Sequence, residues 1–341
     1  MTSKVFSEDI SALADFLIDN GMTNASYLVT GGTGYIGRLI VKALQTANVK
    51  KIYALVRSRE KAKIALENLD GINLIIGDIA ESFDFDGDVD YIIHTASPTV
   101  SKYFIENPVE TINSIVIGTK NVLDFAVKKK ARSLVYLSSM EVYGQVGGGG
   151  RRKEDELGYI NLSNVRSSYS EGKRLAELMC VSYAEEYNLN VCIARLSQVF
   201  GAGVFDHDNR VYKQFAESAR NGKDIILHTD GLSYGNYTYG ADAVSAIFTL
   251  LINGKKGEAY NVVNEANTMS IKDMAQLVAD SFSNGKSKVV IDIPKENAGY
   301  APHTELKLSS AKLNALGWTA KYGILEMYSR MIEYLDEMQG E

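Results

Sequence analysis

Thr30-Gly31-Gly32-Thr33-Gly34-Tyr35-Ile36-Gly37 follows an apolar run, Ala25 to Val29, and opens a segment with helical spacing, Arg38 to Ala47. A strand, a glycine turn and a helix in that order suit an anion site. Glycines three apart permit a tight turn that carries backbone N–H groups up to a pyrophosphate at a helix N-terminus. A side chain at Gly31 or Gly34 is expected to stand where the phosphate goes, and Gly37 to let helix and strand pack closely. Gly31, Thr33, Gly34, Tyr35, Ile36 and Gly37 are therefore candidate dinucleotide contacts.

The rest of the chain continues the alternation that this turn begins. Ile52 to Val56, Ile72 to Ile76, Tyr91 to His94, Leu134 to Ser138 and Val191 to Ala194 read as strands, with helical spacing between them at Val109 to Lys128 and Tyr169 to Tyr187. Such alternation predicts an α/β fold, a doubly wound, mostly parallel Rossmann-type sheet with its ligand at the carboxyl ends of the strands. Residues 25–195 form this domain on the present reading. Residues 1–24 form a helical extension capped by Ser7, with Ile10, Leu13, Phe16 and Leu17 on one side. From 196 to 341 the pattern loosens into a smaller substrate-binding lobe, with helices near Val211 to Asn221, Ala241 to Ile252 and Ile271 to Ser281. A late strand near 259–263 returns to the sheet. Gly147 to Gly150, followed by Arg151 to Glu156, reads as a mobile surface loop.

Composition narrows the class. A chain of 341 residues with 45% hydrophobic content can bury a large core, and a net charge of −6 argues against nucleic acid or an anionic membrane as main partner. The short basic cluster Lys128 to Lys130 reads as a helix C-terminal cap. Cys180 and Cys192 lie in apolar segments and read as buried thiols of a reducing compartment, so the expected location is cytoplasmic. His94, His207, His228 and His303 show no metal-ligand spacing, and no metal is expected.

The chemistry concentrates at Tyr169-Ser170-Glu171-Gly172-Lys173. A phenol and an ammonium four residues apart share one helix face, and the lysine charge is expected to lower the tyrosine pKa towards neutrality. Such a phenolate removes an alcohol proton as hydride leaves the same carbon. Ser138-Ser139 ends a strand 30 residues earlier, where a hydroxyl can bind the same substrate oxygen.

Taken with Gly77-Asp78-Ile79, His94-Thr95-Ala96-Ser97 and Leu137-Ser138-Ser139-Met140-Glu141-Val142-Tyr143, these motifs make the chain resemble the extended short-chain dehydrogenase/reductases, the NAD-dependent epimerase/dehydratase family, from Ala25 to Trp318. The resemblance implies that Ser139, Tyr169 and Lys173 are catalytic. It places Asp78 and Ile79 by the adenine and Ala96 near the inner ribose, with Thr95 and Ser97 as further cofactor contacts. It assigns structural roles to Asp242 and Trp318. His94 to Pro98, Asn107-Pro108 with Gly118-Thr119, Val165 to Arg174 and Asn209-Arg210-Val211 are most similar to the UDP-glucuronate decarboxylase and dTDP-glucose 4,6-dehydratase branch. That branch implies oxidation of a nucleotide-diphosphate sugar at C4, followed by dehydration, epimerisation or decarboxylation, and a homodimer formed through the Tyr169 helix and Val109 to Lys128.

Departures from the branch bear on the outcome. Met140-Glu141 stands where dehydratases carry an Asp-Glu pair; a thioether donates no proton, so ordinary dehydration is disfavoured, and Glu141 either acts as a base at C5 or assists loss of carbon dioxide, or is a loop-holding carboxylate. Gly235 replaces an arginine for the diphosphate, Gln198 an asparagine, Ala202 a proline and Ile115 a helical asparagine. Met140, Gln198 and Arg210 are candidate substrate contacts; Arg195, Arg210 and Lys213 are either anion partners or solvated surface charges. Arg57 and Arg59 follow the second strand, where arginine favours a 2′-phosphate, so NADP is expected over NAD. That expectation keeps open an NADPH-dependent reductase of a keto-sugar. A third reading is a non-catalytic dinucleotide-binding regulator.

Overall fold

A computed structural model describes residues 3–294 and 305–339; His303 lies outside them. Strand β1 (Ser26–Thr30) is buried along its whole length. It can be, because parallel neighbours flank it on both sides: β2 (Lys51–Val56) and β4 (Tyr91–His94). With β3 (Ile72–Ile76), β5 (Ser133–Ser139), β6 (Val191–Leu196) and a late strand, Ala259–Val262, it builds a seven-stranded sheet. In chain order of the strands the sheet runs third, second, first, fourth, fifth, sixth and late strand, every pair parallel.

Side chains alternate between two cores, one on each sheet face. Tyr27 and Val29 join Val135, Leu137, Cys192 and Ala194 on one side; Leu28 joins Leu134, Tyr136, Val191 and Ile193 on the other. The first face is covered by α1 (Lys4–Asp19), α2 (Tyr35–Thr46) and Gly240–Asn253. The second is covered by Gly118–Lys129 and Ser167–Glu186. Strand order reverses between β1 and β4, whose last residues, Thr30 and His94, are partners. The glycine turn leaves β1 at that switch point, where this architecture leaves a crevice for ligands.

Helix α1 starts a turn earlier than the expected Ser7 cap. Ser3 Oγ accepts from Phe6 N at 3.2 Å, while Ser7 Oγ donates to Ser3 O at 2.8 Å. Helix α3 (Arg59–Leu66) follows β2, with Ser58 as its cap. The single helix expected over Val109 to Lys128 is instead α4 (Ser101–Glu106), α5 (Pro108–Ile112), a π-turn over Asn113–Ile117 and α6 (Gly118–Lys129). Proline at the first position of α5 suits a helix start but not an interior, which separates α5 from α4. Lys130 closes α6 in a left-handed conformation, and Lys128 pairs with Asp84.

Beyond a 3₁₀ turn (Met140–Tyr143) come α7 (Ser167–Glu186), β7 (Gln198–Phe200), α8 (Val211–Arg220), β8 (Ile225–Leu227), β9 (Tyr234–Gly235), β10 (Tyr237–Tyr239), α9 (Gly240–Asn253) and β11, the late strand. The described chain ends with β12 (Met269–Ser270), α10 (Ile271–Phe282), β13 (Val289–Ile291), α11 (Ala311–Asn314) and α12 (Ile324–Gln339). Short pairs β7 with β10, β8 with β13 and β9 with β12 organise this lobe.

Arg151 to Glu156 is tied down rather than mobile. Arg152 N donates to Lys307 O at 2.7 Å, Arg151 pairs with Glu265 at 3.0 Å, and Glu154 Oε1 accepts from Asn261 N at 2.9 Å. Gly147 to Gly150 stays exposed. Both cysteines are buried and free. Among the described residues no helix is long and apolar enough to cross a membrane, and no cluster of His, Cys, Asp or Glu could hold a metal ion.

Candidate active site

Ser139 is the last residue of β5, and its Oγ accepts from Glu141 N at 3.2 Å, which starts the 3₁₀ turn. Helix α7 carries Tyr169 and Lys173 on its buried face, 7% and 3% exposed. Phe104 stacks on the Tyr169 ring with centroids 4.2 Å apart and planes 9° from parallel. Lys173 Nζ donates to Leu137 O at 2.7 Å and lies over the rings of Tyr136 and Tyr169, 4.7 and 5.8 Å from their centroids. The expected trio is brought together at one strand end.

The electrostatics differ from the expectation in one respect. Burial raises the Tyr169 pKa above its ordinary value, the nearby Glu141 carboxylate adds to the rise, and the Ser139 hydroxyl and Arg166 oppose it. Burial also pushes Lys173 down to about 7, against the pull of Glu177. Both groups are dry, so each disfavours its charged form, and the pair alone does not acidify the phenol.

Glu141 is held in a bidentate ion pair by Arg166, at 2.8 and 2.9 Å, and accepts from Ser170 Oγ at 3.2 Å. Met140 packs beside a small cluster of Val142, Tyr143, Val263, Leu306 and Leu308.

At the switch point, Thr30 Oγ1 hydrogen-bonds His94 Nδ1 at 2.8 Å, and His94 Nε2 reaches Thr119 Oγ1 at 3.2 Å. Burial, with a smaller effect of Lys173, pushes His94 down to about 3, so it is a neutral strut between β1 and α6. Thr95 Oγ1 donates to Thr30 O at 2.7 Å, and Ala96 N donates to Thr30 Oγ1 at 3.3 Å. Ser97 Oγ turns to Pro98 O at 3.2 Å.

Gly31 has φ +71°, and a Cβ there would meet Thr95 Oγ1 at 2.7 Å and Ala96 Cα at 2.8 Å. What excludes a side chain at Gly31 is thus the protein itself, not only a phosphate. A Cβ on Gly37 would meet Gly31 O at 2.2 Å, as close packing of helix and turn requires. At Gly34 the nearest atom to an added Cβ is Gly31 O at 3.4 Å, which leaves that side of the turn open.

Gly34 caps α2 without any side-chain hydrogen bond. The first-turn N–H groups of Tyr35, Ile36 and Gly37 therefore face the crevice with no side-chain acceptor, which is the donor set a pyrophosphate needs. A dinucleotide fits these residues. The Tyr35 ring points elsewhere, its hydroxyl donating to Ala202 O at 3.2 Å. Asp78 is exposed, with Oδ1 accepting from Ala80 N at 2.9 Å; Ile79 is buried against Gly118. Arg57 and Arg59 are exposed on either side of Ser58, which caps Lys61 N at 3.2 Å.

The proposed substrate contacts are more scattered. Gln198 is half-buried and its N–H pairs with Asn236 O at 2.9 Å. Arg210 is exposed but clasped by Asp208, to which Tyr212 also donates. Arg195, expected as an anion partner, lies in a buried ion pair with Glu177 at 2.7 Å and also bonds Tyr143 Oη and Glu154 O. Lys213 is buried and paired with Glu217 at 2.9 Å. At Gly235 a Cβ would meet Tyr237 Oη at 2.2 Å, so a side chain there requires the buried Tyr237 ring to move. Asp242 takes the structural role: its Oδ2 accepts from the N–H groups of Lys321 and Tyr322, both at 3.0 Å, and its carbonyl accepts from Trp318 Nε1 at 3.2 Å. The reading of the sequence missed Arg166 and Glu177. The spacing Tyr169, Lys173, Glu177 was the available signal for the latter.

A sequence model of the NAD dependent epimerase/dehydratase family matches residues 27–263. The chain belongs to that family. Within it the chain lies in the extended short-chain dehydrogenase/reductase branch. UDP-glucuronic acid decarboxylase 1 of Danio rerio is 29% identical over 313 residues, covering 90% of this chain and 72% of that protein. The dTDP-D-glucose 4,6-dehydratase of Mus musculus is 26% identical over 325 residues, covering 90% and 87%. Among solved structures, the Bordetella bronchiseptica enzyme WbmF in complex with NAD+ and UDP has the same fold, with TM-score 0.75 at 19% identity over 94% of each chain.

Proposed function

We propose that this family member modifies a nucleotide-diphosphate sugar by oxidation at C4, with Tyr169 removing the hydroxyl proton, Ser139 orienting that hydroxyl and Lys173 holding the ribose of the dinucleotide. The observation that carries the reading is the meeting of Ser139, Tyr169 and Lys173 at the end of β5 beside an uncapped α2 N-terminus. A bound nicotinamide dinucleotide would supply the hydride acceptor. Gly31, Thr33, Gly34, Tyr35, Ile36 and Gly37 would hold its pyrophosphate through backbone groups, with Asp78, Ile79, Thr95, Ala96 and Ser97 lining the rest.

The bidentate pair with Arg166 favours a holding role for Glu141 over a base at C5. With Met140 beside it, decarboxylation or epimerisation is preferred to dehydration. Gln198 and Arg210 are retained as substrate contacts, Arg210 on release from Asp208. Incubation with UDP-, dTDP-, GDP- and CDP-sugars, followed by mass spectrometry and proton NMR, tests this: a product of altered sugar mass or stereochemistry with no net dinucleotide turnover supports it. Net loss of one NADPH per product replaces it with the second reading, a keto-sugar reductase.

Arg57 and Arg59 favour NADP, whereas the WbmF structure contains NAD+. A lower Kd for NADP than for NAD, inverted by Arg57→Asp, is the expected result; tighter NAD binding removes the NADP reading. The buried free thiols support a reducing, cytoplasmic location. A homodimer is supported by exposed apolar side chains along α5 and α7, including Val109, Ile112, Leu175 and Leu178, which is 60% exposed.

A further inference from the structure

Beneath the site lies a buried carboxylate with no part in the chemistry above. Tyr169, Lys173 and Glu177 are spaced four apart and follow one another along one face of α7. Three consecutive residues of β5 face them. Leu137 O accepts from Lys173 Nζ at 2.7 Å, Ser138 Oγ donates to Glu177 Oε1 at 2.5 Å, and the Ser139 hydroxyl acts on Tyr169. Glu177 is 6% exposed. Arg195 Nε donates to its Oε1 at 3.0 Å and Nη2 to its Oε2 at 2.7 Å. Apolar residues would fill this space at lower desolvation cost, so a charge placed here asks for a reason beyond packing.

The surroundings of Lys173 supply one. From α7 it meets Tyr169, Glu177 and Cys180; from β5, the Tyr136 ring and the Leu137 carbonyl; from β4, His94; and β6 brings Arg195 behind Glu177. His94 is neutral, and burial raises the Cys180 thiol pKa so that it stays protonated. Glu177 is the carboxylate of this set.

We propose that Glu177 is a positioning residue: its buried carboxylate clamps α7 to the end of β5 through Ser138 and sets a negative charge one helical turn from Lys173, on the side of the dinucleotide crevice and Tyr169. The proposal rests on the functional reading given above. Burial lowers Lys173 to about 7 with Glu177 pulling the other way, so loss of the carboxylate shifts the amine further towards its neutral form.

The test is dinucleotide affinity measured calorimetrically across the neutral pH range for wild type, Glu177→Gln and Glu177→Asp, with kcat and KM for any substrate identified. In wild type, affinity falls as pH rises through about 7. In Glu177→Gln that midpoint moves down, with less of the lysine ammonium at neutral pH. kcat falls with KM retained, and Glu177→Asp restores part of both. A folded Glu177→Gln protein with the wild-type midpoint overturns the proposal. Glutamine leaves Arg195 buried without a counter-charge, so Glu177→Gln/Arg195→Gln, which removes both charges, is read in the same way if the single variant does not fold. Wild-type protein that binds neither NAD nor NADP defeats the functional reading and this proposal with it; binding with an unmoved midpoint defeats the proposal alone.

Discussion

At the scale of single residues, the phenol of Tyr169 is the most exacting test. Tyr169→Phe keeps the stacked ring of Phe104 in place and removes only the hydroxyl. Turnover is expected to fall by about 10²-fold or more, the usual size of a lost general base, while dinucleotide affinity measured by calorimetry is unchanged. His94 makes a second prediction. Its folded pKa of about 3 lies below its ordinary 6.5, so between those values the unfolded chain binds the additional proton. Stability then drops as pH falls from about 6.5 towards about 3. Urea titrations over that range should show a shallower pH dependence in His94→Asn than in wild type; equal slopes would remove the neutral-strut assignment.

At the scale of elements, helix α1 is joined to the molecule by charge as well as by apolar packing. Asp9, 1% exposed, accepts from Tyr239 Oη at 2.5 Å and from Arg330 Nη2 at 2.8 Å, so it links α1, β10 and α12. Phe6 covers the Arg38 guanidinium, 5.0 Å from its ring centroid, one turn after the glycine loop. Asp9→Ala removes the buried partner of Arg330 and leaves it the exposed Glu8 at 3.4 Å, so the cost falls towards the lower end of the about 3–5 kcal/mol of a broken buried pair. The expected result is a clear fall in thermal midpoint by calorimetry. A loss below about 1 kcal/mol would mean that apolar contacts alone hold α1, as for an exposed pair.

At the scale of the whole molecule, α5 and α7 leave apolar side chains exposed, among them Val109, Ile112, Leu175 and Leu178. If two copies cover them, Leu178→Asp buries a charge in the interface, and light scattering should report a monomer where wild type gives a dimer. A wild-type monomer at micromolar concentration would exclude the arrangement. The same fold puts the glycine turn at the carboxyl end of β1 and Ser139 at that of β5, on either side of β4, with Lys173 of α7 reaching Leu137 O, which is why residues more than a hundred positions apart form one crevice.

What the sequence determined by itself is local and periodic: strands with alternating apolar faces, the glycine turn at 31, 34 and 37, and the four-residue spacing of Tyr169 and Lys173. These follow from backbone geometry, which reads neighbours along the chain. The roles of charged residues were decided only by tertiary structure. Arg195, free in the sequence, is consumed by Glu177 of α7, and Glu141 by Arg166. The Tyr169 phenol, expected to be acidic beside a lysine, sits in a dry site that raises its pKa. Desolvation and long-range pairing depend on which segments the fold brings together, and no spacing along the chain records that.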